Sequence, residues 1–304
     1  MEVDKLIVVA GATGELGSMI VHALRDREAA VRALVRPGTD PTRTAGLRAR
    51  GVDIREVSLE DVDGLTEACR GAHCVVSALS GLGKVIVDLQ TNLLTATENA
   101  GVQRFIPSDY SIDYTRLPRG TNRNLDFRKT FRERTYRTPV KVTSVLNGMF
   151  TDLLTGQAPL ILKPVRRVMY WGNKEQPLDF TSMQDTARYT AEVALDDDTP
   201  RDLRIAGEVL DPEGLRRVAS EVYAGDFKLL RLGGIGVLSK MIDLTQLVAP
   251  QREEVFPPWQ GMQYLRNMLS GRAKHPKLDN DRYPHLKWQS VREVLAGDAG
   301  APGH

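Results

Sequence analysis

The sequence predicts an α/β protein, a doubly wound parallel sheet followed by a smaller, less regular domain, and three observations carry that expectation. Short apolar runs alternate with stretches of helical spacing from Lys5 to Pro107. A glycine-rich turn separates the first such run from the first helical stretch, and past Asn147 the alternation stops.

Element by element, Lys5–Ala10 (KLIVVA) reads as a strand, Met19–Leu24 as a helix and Ala30–Val35 as a second strand. A short helical stretch around Leu47 follows, then a strand at Val52–Val57, a helix at Val62–Cys69 and a strand at Cys74–Ala78. Helical spacing over Val85–Ala100 and a strand at Arg104–Pro107 complete the series. Right-handed βαβ crossovers place helices on both faces of a parallel sheet, so its strands are continuous apolar runs rather than alternating ones. Beyond Asn147, Pro159 and Pro164 interrupt the chain, and Arg167–Trp171 with Pro177–Phe180 reads as a hairpin around GNKEQ. A helix is expected at Met183–Asp196, a proline-rich, basic, irregular stretch from Val255 to Trp288, and a frayed tail at GDAGAPGH. The first domain is therefore drawn over residues 1–155, rejoined by about 178–205, and the second over 156–177 and 206–304.

Composition narrows the function. At 304 residues, 41% hydrophobic and 26% charged, the chain can bury about three quarters of its unfolded surface. A net charge of +2 is too small for a nucleic-acid footprint. The only cysteines, Cys69 and Cys74, have no clustered histidines beside them, so neither a metal site nor a disulfide framework is expected. No apolar run approaches the ~18 residues of a membrane span, and MEVDKLIVVAG lacks the basic start of a signal peptide. A cytoplasmic location is expected.

GATGELG, with Gly11, Gly14 and Gly17, lies between the first strand and the first helix. There a residue without Cβ permits a tight turn and lets a pyrophosphate approach the backbone N–H groups of a helix N-terminus. An acid ending the second strand would accept a ribose hydroxyl; VRALVR ends instead in Arg36, which suits a 2′-phosphate and so favours NADP(H). Arg32, on the same strand, reads as structural.

GATGELG, ALVR, VVSALSG, AGVQRFIPSDYS, DFRKTF and VLNGMF, in that order, resemble the NmrA-like and isoflavone-reductase-like branch of the atypical short-chain dehydrogenases. FTSMQDTARY, with Asp185, and LDNDRYPHLKWQSVREVL are weaker echoes. The resemblance implies an NADP-binding Rossmann domain with the substrate towards the C-terminal part. Plant members reduce phenolic, aryl-conjugated molecules, whereas the fungal namesake senses nicotinamide nucleotides without turnover. By position, Gly11, Thr13, Gly14, Glu15, Leu16 and Gly17 would line the pyrophosphate and Arg36 the 2′-phosphate. Ala78 and Leu79 would meet the adenosine or nicotinamide-ribose side, Pro107 and Ser108 the nicotinamide, and Asn147 and Phe150 the substrate. Where relatives often carry an acid near adenine, EVSLED places Ser58.

The Tyr-x-x-x-Lys pair of standard short-chain dehydrogenases is absent from its proper helix. Tyr170-Trp-Gly-Asn-Lys174 matches it only in the expected hairpin, where the spacing does not align the two side chains. Between Tyr110 and Val140 the one lysine is Lys129, in LDFRKTFRERTY, which resembles the lysine that reductases of the family use for proton transfer. Tyr110 is a weaker candidate for the same role. Arginines 116, 119, 123, 128, 132, 134 and 137 read as a solvated face or as a basic lip that steers phosphates. The reading is thus an NADPH-dependent reductase of an aromatic or conjugated small molecule, with a nucleotide sensor or a quinone reductase as alternatives. The expected partners are a small-molecule substrate and a second copy in a homodimer.

Overall fold

The computed structural model describes residues 5–158 and 160–300; the N-terminal reading at residues 1–4, Pro159 and the last four residues of the expected tail lie outside them. The chain forms two compact units, which it visits in turn. The first comprises residues 1–110, 127–145 and 186–203, and the second residues 111–126, 146–185 and 204–304. These limits differ from those drawn from the sequence because residues 111–126, 146–155 and 178–185 belong to the second unit, whose core holds Ile112, Tyr114, Leu125, Leu146 and Phe180. The second unit is not the smaller of the two.

In the first unit, β1 (Leu6–Ala10), β2 (Ala30–Val35), β3 (Asp53–Glu56), β4 (Cys74–Ser77), β5 (Arg104–Ile106) and β6 (Lys141–Val142) form a parallel sheet in the order β3-β2-β1-β4-β5-β6. The chain winds outward from β1 and returns to β4 beside it, which opens a crevice at the carboxyl ends of β1 and β4. Helices α1 (Glu15–Arg25), α2 (Thr42–Ala49), α3 (Val62–Cys69), α4 (Gln90–Asn99), α5 (Arg123–Thr135, in this unit from Phe127) and α6 (Met183–Leu195, from Thr186) accompany the sheet. The Asp61 carboxylate caps α3 by accepting from the Gly64 N–H (2.9 Å), which fixes its start. Buried Arg104 donates to the carbonyls of Val193 (2.9 Å) and Ala194 (3.1 Å) at the end of α6, where a cation also meets the negative end of the helix dipole. Arg32 pairs with Asp53 (2.8 Å) and donates to Ala68 O, the structural role expected of it.

The second unit departs from the sequence reading in three places. Segments 167–170 and 178–181 are strands but form no hairpin: the first pairs in parallel with 228–231 and antiparallel with 161–162, the second antiparallel with 208–210 and in parallel with 149–150. Each is the central strand of three, but Leu178–Thr181 is buried at every position whereas Arg167–Tyr170 buries alternate residues. The turn between them serves another strand, with Gly172 at φ +75° and its N–H donating to Gly233 O (2.8 Å). Within the stretch read as irregular lies a helix, Pro258–Leu269, because proline is tolerated in a first turn that needs no N–H donor. The expected tail is helical as far as Gly300, in Val291–Gly300. Later in this unit come α7 (Pro212–Val222), α8 (Ile235–Val248), α9 (Pro258–Leu269) and α10 (Val291–Gly300). Asp185 proves to be a staple: its buried carboxylate accepts from the Gln289 N–H (2.8 Å).

The arginines near α5 are not a uniform solvated face, because Arg123, Arg132 and Arg134 are committed to partners, while Arg116, Arg119 and Arg137 are exposed. Arg123 donates to the carbonyls of Arg252, Glu254 and Val255 and lies over the Trp259 ring at 4.6 Å. Arg132 binds both oxygens of Asp202, and Arg134 reaches Asp88 and Thr91.

Candidate functional site

The glycine loop separates what the fold needs from what it does not. Gly11 has φ +81°, and a Cβ on it would stand 2.6 Å from Ala78 O. A Cβ on Gly17 would stand 2.0 Å from Gly11 O, so both glycines are required by packing alone. Gly14 is different: its φ of −81° suits any residue, and a Cβ there would meet only Gly11 O at 3.3 Å. Gly14 is exposed, caps α1 without a side-chain hydrogen bond, and precedes a helix whose first intrahelical bond is Ser18 N–H to Gly14 O (2.8 Å). The N–H groups of Glu15, Leu16 and Gly17 thus begin a helix with no intrahelical acceptor, under the positive end of its dipole. A pyrophosphate fits this cradle, which a side chain on residue 14 would fill. Thr13 and Leu16 are half-buried beside it; Glu15 is exposed.

Arg36 is exposed just past β2, and its carbonyl accepts from Thr39 N–H (3.1 Å) and Thr39 Oγ1 (2.6 Å), leaving the guanidinium to solvent. Sequence reasoning missed two neighbours. Arg43 on α2 reaches the Thr13 carbonyl (3.3 Å) and brings a second cation to the loop. Glu56, paired with Val35 across the sheet, supplies the acid absent from β2, but its carboxylate accepts from the Gly38 N–H (3.3 Å). Ser58 is half-buried, with its hydroxyl accepting from Glu60 N–H (3.2 Å) in the turn into α3.

At the ends of β4 and β5 the loops are tied by a residue that the sequence reading passed over. Gln90, fully buried, accepts with Oε1 from Ser77 Oγ (2.7 Å) and Ser108 N–H (2.9 Å), and donates with Nε2 to Ile86 O (3.0 Å). Ser108 Oγ in turn donates to Leu79 O (2.6 Å), so Ala78–Leu79 and Pro107–Ser108 are held as one wall. The π-helical turn Lys84–Leu89 sets Gln90 in place, an irregularity of a kind frequent at functional sites. Its signal was legible: Gln90 falls on the buried stripe Ile86, Leu93, Thr97, and a polar group on an apolar face needs a partner.

α5 packs against the loop after β4, where the Phe127 ring lies 3.1 Å from the position of a Cβ on Gly83, and Phe131 packs near Phe105 with ring centroids 6.1 Å apart. Lys129 is half-buried and lies about half a turn round the helix from Phe127 and Phe131, on the other face. Tyr110 is 6% exposed, and burial pushes its phenol pKa up, against a smaller opposing pull from Thr190. That ring packs in the core, and we give it no proton-transfer role. Cys69 and Cys74 are buried thiols pushed up to about 12, so both stay protonated and unreactive. Among the described residues, no group of three or more His, Cys, Asp or Glu could hold a metal ion.

In the second unit, the Asn147 backbone is fixed on both sides, by its N–H donating to Ser111 O (3.0 Å) and its carbonyl accepting from Thr181 Oγ1 (2.6 Å). Its side-chain amide is fully buried and has no hydrogen-bond partner. Gly148 follows at φ +68°, where a Cβ would stand 2.4 Å from Asp179 O. Phe150 is half-buried and pairs with Thr181. Asp179 also binds Lys274 Nζ (2.6 Å) and the His275 N–H (2.9 Å). The His275 ring is buried, with neither nitrogen paired, and burial lowers its pKa.

Sheet order, glycine cradle and wall together define a dinucleotide-binding protein of the doubly wound class. Residues 3–224 match the NmrA-like family, and the chain belongs to it. Pinoresinol reductase 1 of Arabidopsis thaliana is 28% identical over 226 residues, 69% of each chain. Among solved structures, one described as AtPrR2 with NADP+ and (+)pinoresinol superposes with a TM-score of 0.82 at 20% identity, covering 98% of this chain and 100% of that one. The NADPH-dependent quinone oxidoreductase QOR2 complexed with NADPH, from Escherichia coli, gives 0.75 at 17% identity, over 96% of this chain and 99% of the other. At these identities the superpositions establish the fold. No helix among the described residues is long and apolar enough to cross a membrane.

Proposed function

We propose that the chain is an NADPH-dependent reductase that passes hydride to an aromatic or conjugated small molecule. The observation that carries this reading is Gly14, where a Cβ would meet only Gly11 O at 3.3 Å, so packing demands glycine far less than at Gly11 or Gly17, at the place where a pyrophosphate must approach backbone N–H groups. The 28%-identical relative is a pinoresinol reductase, which supports a reducible aryl-conjugated substrate. When bound, NADPH supplies the hydride. Gly11 to Gly17 hold its pyrophosphate through the backbone, with Thr13 and Leu16 as walls, and Arg36, assisted by Arg43, faces the 2′-phosphate. Ser58 borders adenine; Ala78 and Leu79 border the ribose side, and Pro107 and Ser108, held by Gln90, support the nicotinamide. Asn147 offers an amide donor and acceptor to the substrate, and Phe150 an apolar surface. Lys129 moves the proton. We further propose a cytoplasmic location and a homodimer.

The position of Lys129, across the helix from the stripe that packs on the β4 loop, favours a second reading: a quinone acceptor whose proton comes from water and needs no protein base. Screening aryl enones, phenolic ethers and quinones for loss of reduced-nicotinamide absorbance tests both. Turnover of a phenolic ether or enone that falls about 10²–10⁴-fold in Lys129→Ala, with NADPH affinity unchanged, supports the first reading. Quinone turnover indifferent to Lys129→Ala supports the second. NADPH binding with no oxidation by any acceptor would overturn both in favour of a nucleotide sensor.

A further inference from the structure

α8 presents two unlike faces. Leu238 and Ile242 are buried in the core of the second unit, while Gly236, Val237, Lys240, Asp243, Leu244, Leu247 and Val248 are exposed on the opposite side. Val237 is 46% exposed, Leu244 60%, Leu247 79% and Val248 70%; with Phe256 at 66%, they are five of the eight exposed large hydrophobics among the described residues. Apolar groups concentrated on one stripe, rather than scattered, mark an interaction surface. Its only charges on the helix, Lys240 and Asp243, lie one turn apart and form no close ion pair with each other, though Asp243 also attracts Arg266 of α9.

We propose that this face of α8 is an isologous interface with a second copy of the chain, packed antiparallel about a two-fold axis between Lys240 and Asp243. Such an axis sets Lys240 of each copy against Asp243 of the other, so two exposed charges of opposite sign form two cross-pairs. It also brings Leu247 of each copy over Gly236 and Val237 of the other, and a Cβ on Gly236 would have no atom within 4 Å, so the helices can approach closely there. The exposed charges nearby, Arg252, Glu253 and Glu254, leave the patch with a slight acidic excess, which suits a protein partner better than an anionic membrane. A helix face about 21 Å long covers less than the ~800 Å² per partner of a standard interface, so a weak, concentration-dependent association is expected. The inference rests on the homodimer proposed above and is independent of the nucleotide reading.

Sedimentation velocity of the full chain, from low to hundreds of micromolar, tests it, with thermal unfolding as a control for folding. The wild type is expected to pass from monomer to dimer, and Leu247→Glu to remain monomeric with an unchanged melting temperature. Lys240→Glu and Asp243→Lys should each weaken the dimer, because like charges then face each other. Mixed in equal amounts, these two variants should restore it, since both cross-pairs become attractive. A wild type that stays monomeric overturns any dimer, and a dimer that survives Leu247→Glu places the interface elsewhere. A mixture no heavier than its components overturns the two-fold arrangement. Co-sedimentation of the monomer with phosphatidylcholine/phosphatidylserine vesicles, abolished by Leu247→Glu, would assign the face to a membrane instead.

Discussion

Two glycine turns, one in each unit, are built under the same constraint and leave different things over. Gly11 and Gly148 both take positive φ, and a Cβ on either would strike a backbone oxygen, at 2.6 and 2.4 Å. Around Gly11 the surplus is space: the opening at Gly14, the unpaired N–H groups of α1 and an uncommitted Arg36. Around Gly148 the surplus is polar atoms: the buried amide of Asn147, beside the strand whose Asp179 anchors buried His275. Backbone donors, a helix dipole and arginine suit an anion, whereas a neutral amide and imidazole suit an uncharged hydrogen-bonding group. In each turn the functional signal is what packing fails to account for.

The contrast within the first turn gives the largest expected effect. Gly17→Ala drives a methyl to 2.0 Å from Gly11 O and should destabilise the fold by several kcal/mol, on the order of 3 or more, read as a fall in melting temperature. Gly14→Val should cost much less, about 1–2 kcal/mol, because valine caps α1 poorly and its Cβ meets Gly11 O at 3.3 Å, yet it should lose NADPH binding in calorimetry while staying folded. A Gly14→Val protein that still binds NADPH would reduce the loop to a turn.

Next in size is Gln90→Leu, which leaves the Ser108 N–H and Ser77 hydroxyl without their acceptor, at about 1–3 kcal/mol for each buried group. A purely structural loss would weaken all ligands alike. If Gln90 positions the nicotinamide wall, NADPH affinity should fall about tenfold, equivalent to ~1.4 kcal/mol, while 2′,5′-ADP, which lacks the nicotinamide, should bind as before. Equal losses for both ligands would leave Gln90 a core residue.

How much of this was legible follows from how local each signal is. Ala30–Val35 and Val62–Cys69 were read to the residue, because a strand covered on both faces is a continuous apolar run and Asp61 marks a helix start within three residues. The glycine loop and Arg36 were legible for the same reason. The pairing of 167–170 with 228–231, some sixty residues on, leaves no mark in either segment, so the nearer but wrong hairpin was preferred. The helix at Pro258 was hidden by a proline read as a breaker when it stood in a first turn. Asn147 was singled out only through the family resemblance, since a buried unpaired amide is a property of the folded neighbourhood.

Arg36→Ala comes next. A charge-assisted contact to the 2′-phosphate contributes about 1.5–3 kcal/mol, so NADPH should bind roughly one to two decades more weakly while NADH changes little. Arg43, within reach of the Thr13 carbonyl, sharpens the test. If the single variant keeps half the preference and Arg36→Ala with Arg43→Ala loses it, the two share the phosphate. Equal wild-type affinities for NADPH and NADH would remove the role from both.

The smallest effect belongs to the second unit and is read in stability rather than binding. Burial lowers the His275 pKa below its ordinary 6.5, with Asp179 and Asp113 pulling it up and Lys274 and Arg204 pushing it further down. The unfolded chain therefore takes the proton first. Stability is full above pH 6.5 and declines as pH falls below it, by at most about 1.4 kcal/mol per pH unit until the folded value is reached. His73, also lowered by burial, adds a loss of the same sign. His275→Gln keeps a donor and an acceptor but cannot charge, so between pH 7 and 5 its melting temperature should fall less than that of the wild type, leaving the share of His73. Parallel pH profiles would mean that the ring is not buried in solution, and the contrast between an open anion cradle and a closed neutral pocket would lose its second half.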